Sequence, residues 1–213
     1  MSGALTSLRP LARLLASLKR VGYGGAAVLG LLVWSGSRGV ATAQEMDAPV
    51  AIQVSILSRL LEFDRNFKSH AGEEIVIGII YQSRFRASAV AKAQVVEALK
   101  EATFEHMVSL PVRFVLIEVQ EATSFRRLVA DSDPDLLYIT PLRAFAIDSI
   151  TAYSREAGVL TYTGVSEYVH AGIATGLGIQ SGKPKILVNR RAAQQEGAAF
   201  SSELLKLAQL IGS

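Results

Sequence analysis

Cysteine is missing from the whole chain of 213 residues. This rules out disulfides, thiol-based redox control and the lipid-bearing cysteine of a lipoprotein. It also argues strongly against a structural zinc site, since such sites rely on thiolate ligands. Histidine is nearly as scarce: His70, His106 and His170 stand far apart in no ligand-spaced pair, so no metal site is expected. No Walker-type GK(S/T) occurs. Acidic residues are absent from positions 1–43, which hold Arg9, Arg13, Lys19, Arg20 and Arg38. That local imbalance accounts for the sequence pI near 9.3. Beyond it lie 17 basic and all 19 acidic residues, a net charge of −2. With no basic stripe interleaved with aromatics, nucleic acid is not an expected partner.

The first 43 residues read as an export signal. Four positive charges precede an apolar stretch from Val21 to Trp34, and Ala41-Thr42-Ala43 makes a small-residue exit before Gln44. A transmembrane anchor needs about 20 apolar residues, more than this stretch offers. Two segments are therefore expected: a signal peptide over 1–43, cleaved after Ala43, and an exported mature domain over 44–213. With 50% hydrophobic residues in the chain, a sound core is available without disulfides.

Periodicity then sets the architecture. Val50, Val54, Leu57 and Leu61 share one helical face over residues 50–63, with Pro49 suited to a helix start. The run IVIGII within 74–81 suits a strand covered on both faces. A helix over 87–105 follows, then a strand over 112–119, a short helix near 124–129, a strand over 136–140, a helix over 143–156 and a strand over 159–163. Residues 173–179 and 185–188 read as a hairpin. The fold expected is α/β: one three-layer domain, a mostly parallel open sheet with a C-terminal antiparallel hairpin and helices on both faces.

Catalytic patterns fail one by one. Gly164-Val165-Ser166-Glu167-Tyr168 starts like a nucleophile elbow but has Tyr168 where the second glycine belongs. Gly176-Leu177-Gly178 lies inside a strand, where glycine permits a bulge or a close backbone contact, and not between strand and helix as a phosphate cradle requires. The carboxylates Glu73, Glu74, Asp131, Asp133 and Asp135 sit at loop or strand edges and form no evident acid–base pair. No catalytic residue, cofactor or enzymatic activity is expected.

In an open α/β sheet, ligands gather where parallel strands end. Those ends carry Gln82 and Arg84, Thr140 and Arg143, and Thr163, Ser166 and Glu167. This set suits a small polar or anionic molecule; it equally suits turn residues that cap the following helices. The end of the first helix, Leu61, Phe63, Asp64 and Arg65, is a second candidate surface, for a protein partner.

The closing segment, KILVNRRAAQQEGAAFSSELLKLAQLIGS, has its own syntax: a strand, Asn189 as N-cap, a short helix stopped by Gly197, and Ser201 as a second cap with Glu203 in the first turn. Leu204, Leu205, Leu207, Ala208 and Ile211 form a helical stripe expected to dock on the core. This segment resembles the end of the YfiR/HmsC-like family of small periplasmic proteins. Asn189, Ala192, Ala193, Gly197, Ser201, Ser202 and Leu204 to Ala208 come in that family's order, and the likeness extends more weakly back to about Val50. Val165, Ser166 and Glu167 match the family's "VS(D/E)" stretch, whereas Phe63-Asp64-Arg65 departs from its usual aromatic-plus-Pro helix ending. The resemblance implies a compact open α/β sheet and a non-enzymatic periplasmic regulator. Such a regulator binds the sensor domain of an inner-membrane partner, of the diguanylate cyclase type, and so restrains cyclic-di-GMP signalling and biofilm formation. It also implies a possible homodimer. The alternative is a one-lobed periplasmic small-ligand-binding protein, a sensor or carrier.

Overall fold

A computed structural model describes residues 45–101, 106–120, 122–143, 145 and 147–212. The expected signal peptide lies outside the described residues. The described chain runs α1 (Val50–Glu62), α2 (Phe67–His70), β1 (Ile75–Tyr81), α3 (Arg86–Lys100), β2 (His106–Met107), β3 (Leu110–Glu118), α4 (Ala122–Ala130), β4 (Leu136–Ile139), α5 (Ile147–Ala157), β5 (Leu160–Thr163), α6 (Ser166–His170), β6 (Thr175–Gln180), β7 (Lys183–Asn189), α7 (Arg190–Gln195), α8 (Ser202–Leu207) and β8 (Gln209–Ile211). Its strands form one sheet in the order β2-β3-β1-β4-β5-β6-β7-β8. From β3 to β6 every neighbouring pair is parallel. β6–β7 and β2–β3 are antiparallel, and β8 runs parallel to β7. This is the expected α/β domain, a mostly parallel sheet with a hairpin near its end.

Alternation along the strands explains the two cores. Ile75, Ile77 and Ile79 of β1 and Leu136 and Tyr138 of β4 face α1 and α3. Ile80, Leu137 and Ile139 face α4, α5 and α6, where they meet Phe125, Val129, Ile150 and Tyr168. Both faces are covered, so the central strands are apolar without interruption. The hairpin turn is Ser181-Gly182, with φ of 51° and 74°, the paired positive values of a two-residue turn whose twist matches the strands it joins. Gly176 answers to close contact: a Cβ there would lie 2.7 Å from the Thr163 carbonyl oxygen.

Two polar groups are buried on purpose-built partners. Gln53 of α1 is fully buried; its amide donates to the Ala48 carbonyl at 2.6 Å and accepts from the Tyr138 hydroxyl. The Tyr162 hydroxyl donates to the Gln53 carbonyl at 3.0 Å. Any Cβ at Gly164 would sit 2.1 Å from the Gln53 side-chain oxygen, so only glycine leaves it room. Glu196, which follows α7, is 2% exposed. It accepts from the Ser154 hydroxyl at 2.7 Å and from the Thr161 backbone N–H and hydroxyl at 2.9 Å, tying α7 to α5 and β5. Burial pushes this carboxyl up to about 7, against the opposing pull of those hydrogen bonds and of Arg155.

The closing segment follows expectation until its last turn. Asn189 accepts from the Ala192 N–H at 3.0 Å, Gly197 has φ 85°, and Ser201 accepts from the Leu204 N–H at 3.4 Å. The terminal helix, however, ends at Leu207. Ala208 turns extended (φ −78°, ψ 158°) and residues 209–211 add a strand to β7. Leu204 and Ile211 are buried as expected, but Leu207 is 63% exposed. Pairing with the open side of β7 satisfies backbone groups there, and this outweighs three more residues of helix. Other boundaries moved by a few residues, the largest shifts being in two helices: α3 stops at Lys100, with residues 102–105 outside the described set, and α5 begins at Ile147, with residues 144 and 146 outside it.

Candidate functional site

The geometry of the site follows from β1 lying between β3 and β4. The chain leaves β1 for α3 on one face of the sheet and leaves β3 and β4 for α4 and α5 on the other. Where neighbouring exits part in this way, a crevice opens beyond the strand ends. Here it encloses about 280 Å³ and is lined by Gln82, Ser83, Arg84 and Phe85 after β1, Glu118, Val119 and Gln120 at the end of β3, and Arg143 after β4.

Its walls are held by side chains bonded to backbone. The Gln82 amide donates to the Arg143 carbonyl at 3.1 Å and accepts from the Arg143 N–H at 2.7 Å. On the other side of the same loop the Tyr168 hydroxyl accepts from the Leu142 N–H at 2.8 Å and donates to its carbonyl at 3.0 Å. Beneath them Thr140 donates to the Ile80 carbonyl at 2.8 Å, so Ser88 is the donor in its 2.7 Å bond to Thr140. Ser88 in turn accepts from the Gln82 N–H at 2.8 Å. The loops after β1 and β4 are thereby fixed to one another.

The charge of the crevice is uneven. Glu118 accepts from the Ser83 hydroxyl, from the Gln120 amide at 3.4 Å and from the Tyr81 hydroxyl at 3.4 Å. These bonds, Ser83 foremost, hold its carboxyl below the ordinary value, so it stays ionised. Tyr81 moves the other way, pushed up by burial and then by Glu118. Among the described residues, no ion pair or hydrogen bond engages the guanidinium of Arg84 or Arg143.

Of the seven residues expected at a ligand site, Gln82, Arg84 and Arg143 come together. Thr140 and Thr163 are fully buried. Thr163 donates to the Ile139 carbonyl at 3.0 Å and accepts from the Val165 N–H at 3.1 Å, a turn role. Ser166 and Glu167 open α6 away from the crevice; Ser166 lines a separate small depression with Asp47, His170 and Lys185. Ser83, in the same strand-end stretch as Gln82 and Arg84, joins them; Phe85, Glu118, Val119 and Gln120 lie outside the expected set, although the strand-end rule, applied equally to β3, points to residues 118–120. At the first helix end, Leu61 is fully buried, and Asp64, 5% exposed, accepts from the Asn66 N–H at 3.0 Å and the Ala199 N–H at 2.9 Å. Phe63 is half-buried and Arg65 exposed. This end is stitched to the α7–α8 connection: Arg65 N–H donates to the Ala199 carbonyl at 3.2 Å and Ser201 N–H to the Phe63 carbonyl at 2.9 Å. A broader, open groove of about 1070 Å³ runs between residues 45–51 and α3, past Ala87, Val90, Ala91 and Gln94.

A family model described as YfiR/HmsC-like matches residues 51–209. The chain belongs to the YfiR/HmsC-like family. Membership supports a periplasmic, regulatory and non-enzymatic role. No curated protein matches the chain. Among solved structures, it is similar to the ABC domain from Streptococcus pneumonia, solved in complex with L-Trp, at 15% identity and TM-score 0.53, covering 77% of this chain and 62% of that one. It is also similar to a conserved domain protein from Vibrio cholerae, at 13% identity and TM-score 0.54, covering 78% and 60%. The chain thus spans about three fifths of the length of these structures, and at such identities the likeness is one of fold. No helix among the described residues is long and apolar enough to cross a membrane.

Proposed function

We propose that this protein is a periplasmic regulator that binds the sensor domain of an inner-membrane signalling protein of the diguanylate cyclase type, and so restrains cyclic-di-GMP output and biofilm formation. The observation that carries this reading is the family match over residues 51–209. Control of this kind requires the regulator to bind one conformation of its partner better than the other. Driving such a switch from one side to the other takes about 5.5 kcal/mol of differential binding. The open groove between residues 45–51 and α3, with Val50, Val90 and Ala91 on its walls, offers a surface for such a contact. Deleting the gene and measuring cellular cyclic-di-GMP, with capture of membrane cyclases on the purified protein, tests the proposal. Unchanged cyclic-di-GMP and no recovered cyclase would remove it. A homodimer, which the family suggests, is tested by light scattering.

A second reading, a one-lobed periplasmic sensor or carrier of a small ligand, is favoured by the crevice at the end of β1 and its two unengaged guanidiniums. A fold like that of a domain solved with L-Trp is compatible with it. Native mass spectrometry of the protein purified from its periplasm checks this: a bound small molecule lost on Arg84→Ala or Arg143→Ala supports the reading, and a bare mass under gentle conditions counts against it.

A further inference from the structure

We infer that the crevice at the end of β1 binds a small organic monoanion, with its carboxylate between Arg84 and Arg143 and its apolar body against Phe85. This rests on the small-ligand reading above and names the chemistry that reading leaves open. The argument begins with charge. Two guanidiniums and one carboxylate line the crevice, and the carboxylate, Glu118, is taken up by Ser83, Gln120 and Tyr81. One net positive charge therefore faces the cavity, enough for one anionic group.

Placement adds to it. Arg143 sits on a loop clamped from both sides by Gln82 and Tyr168, so its backbone has little freedom left to lose on binding. Arg84 immediately precedes Phe85, the N-cap of the 15-residue α3, which has no side-chain cap. The positive end of that helix adds to the field that the two guanidiniums set up. A planar guanidinium offers paired donors that match a carboxylate. Size and lining complete the description: about 280 Å³ admits a ligand of roughly one ring and an acid group, and the half-buried Phe85 supplies apolar wall.

The test uses the mature domain and three probes in an amide-resolved NMR titration: benzoate, its uncharged isostere benzamide, and inorganic phosphate. Benzoate is expected to give saturable shifts at the amides of residues 82–85, 118–120 and 143, weakened about tenfold or more by Arg84→Ala or Arg143→Ala. Both arginines are exposed, so thermal melts of the variants should match the parent and exclude misfolding. Equal binding of benzoate and benzamide, or benzoate shifts indifferent to both substitutions, overturns the inference. Phosphate displacing benzoate at lower concentration overturns the carboxylate assignment. Benzamide bound in the crevice with benzoate excluded refutes the anion while leaving the small-ligand reading intact. Silence from all three probes, together with a bare native mass, removes both.

Discussion

Replacing Glu196 by Gln isolates a single buried ionisation and should reverse the usual sign of a carboxylate's contribution. A paired carboxylate ordinarily has a depressed pKa and stabilises the fold as pH rises. Glu196 is instead raised from 4.5 to about 7 because burial outweighs three hydrogen-bond donors and the attraction of Arg155. Between those values the folded state holds more protons than the unfolded state, so stability falls as pH climbs from about 4.5 through about 7 and then levels. A rise of this size corresponds to a loss of about 3 kcal/mol across the window. For a domain of this length that is roughly 6–12 °C in Tm. Asp135, also raised chiefly by burial, slopes the same way but is common to both proteins and cancels in their difference. Urea melts of parent and Glu196→Gln at pH 5 and pH 8 give the answer. The two should lie within about 1 kcal/mol at pH 5, where the amide imitates the neutral acid, and the variant should lead by up to about 3 kcal/mol at pH 8. A parent that is the more stable at pH 8 would mean that Ser154 and Thr161 win over desolvation, and the argument would fail.

Gln53→Leu should cost about 1–3 kcal/mol, because it leaves the Ala48 carbonyl without its donor and the buried Tyr138 hydroxyl with only the weak Met46 sulfur acceptor at 4.0 Å; chemical denaturation reads this directly, and a neutral result would mean the two groups find other partners. Asn189→Ala should cost about 1 kcal/mol through the lost cap and more through its bond to the Val169 carbonyl at 3.2 Å, so a loss no larger than that of Ser201→Ala would contradict the second contribution. The exported protein should begin at Gln44, and since Trp34 is the only tryptophan it should show no tryptophan emission; intact mass and fluorescence of periplasmic extracts decide the point.

The β–α rhythm was legible because hydrophobic period and punctuation agree: IVIGII can be continuous only in a strand covered twice, and Asn189, Gly197 and Ser201 each mark a helix boundary by side-chain chemistry that acts locally. The last turn was not legible. Leu207 and Ala208 fit a helical stripe as well as a helix end, and the choice was made by the open side of β7, which no local pattern reports. The site was half visible for a related reason. Gln82, Arg84 and Arg143 could be picked from strand ends, but Thr140 and Thr163 have the same composition and spacing and are spent on backbone bonds inside. Conversely, Glu118 looks like an ordinary strand-edge acid until β3 is placed beside β1, which brings it to Ser83 and Tyr81.

Lack of cysteine does not leave the molecule inert to oxidants. Met46 packs against both apolar clusters, at the end of the sheet where they meet, and its sulfur lies 4.0 Å from the Tyr138 hydroxyl. One added oxygen turns that thioether into a polar sulfoxide. The layers would then be wedged at the seam where the N-terminal segment crosses the sheet, with Asp47 N–H bonded to the Gly164 carbonyl at 3.0 Å. Mild peroxide should therefore lower the melting temperature of the parent and spare Met46→Leu, and an equal loss in both would place the damage elsewhere. A protein without thiols would in this way still carry a sensitivity to oxidative stress, placed in a packing methionine.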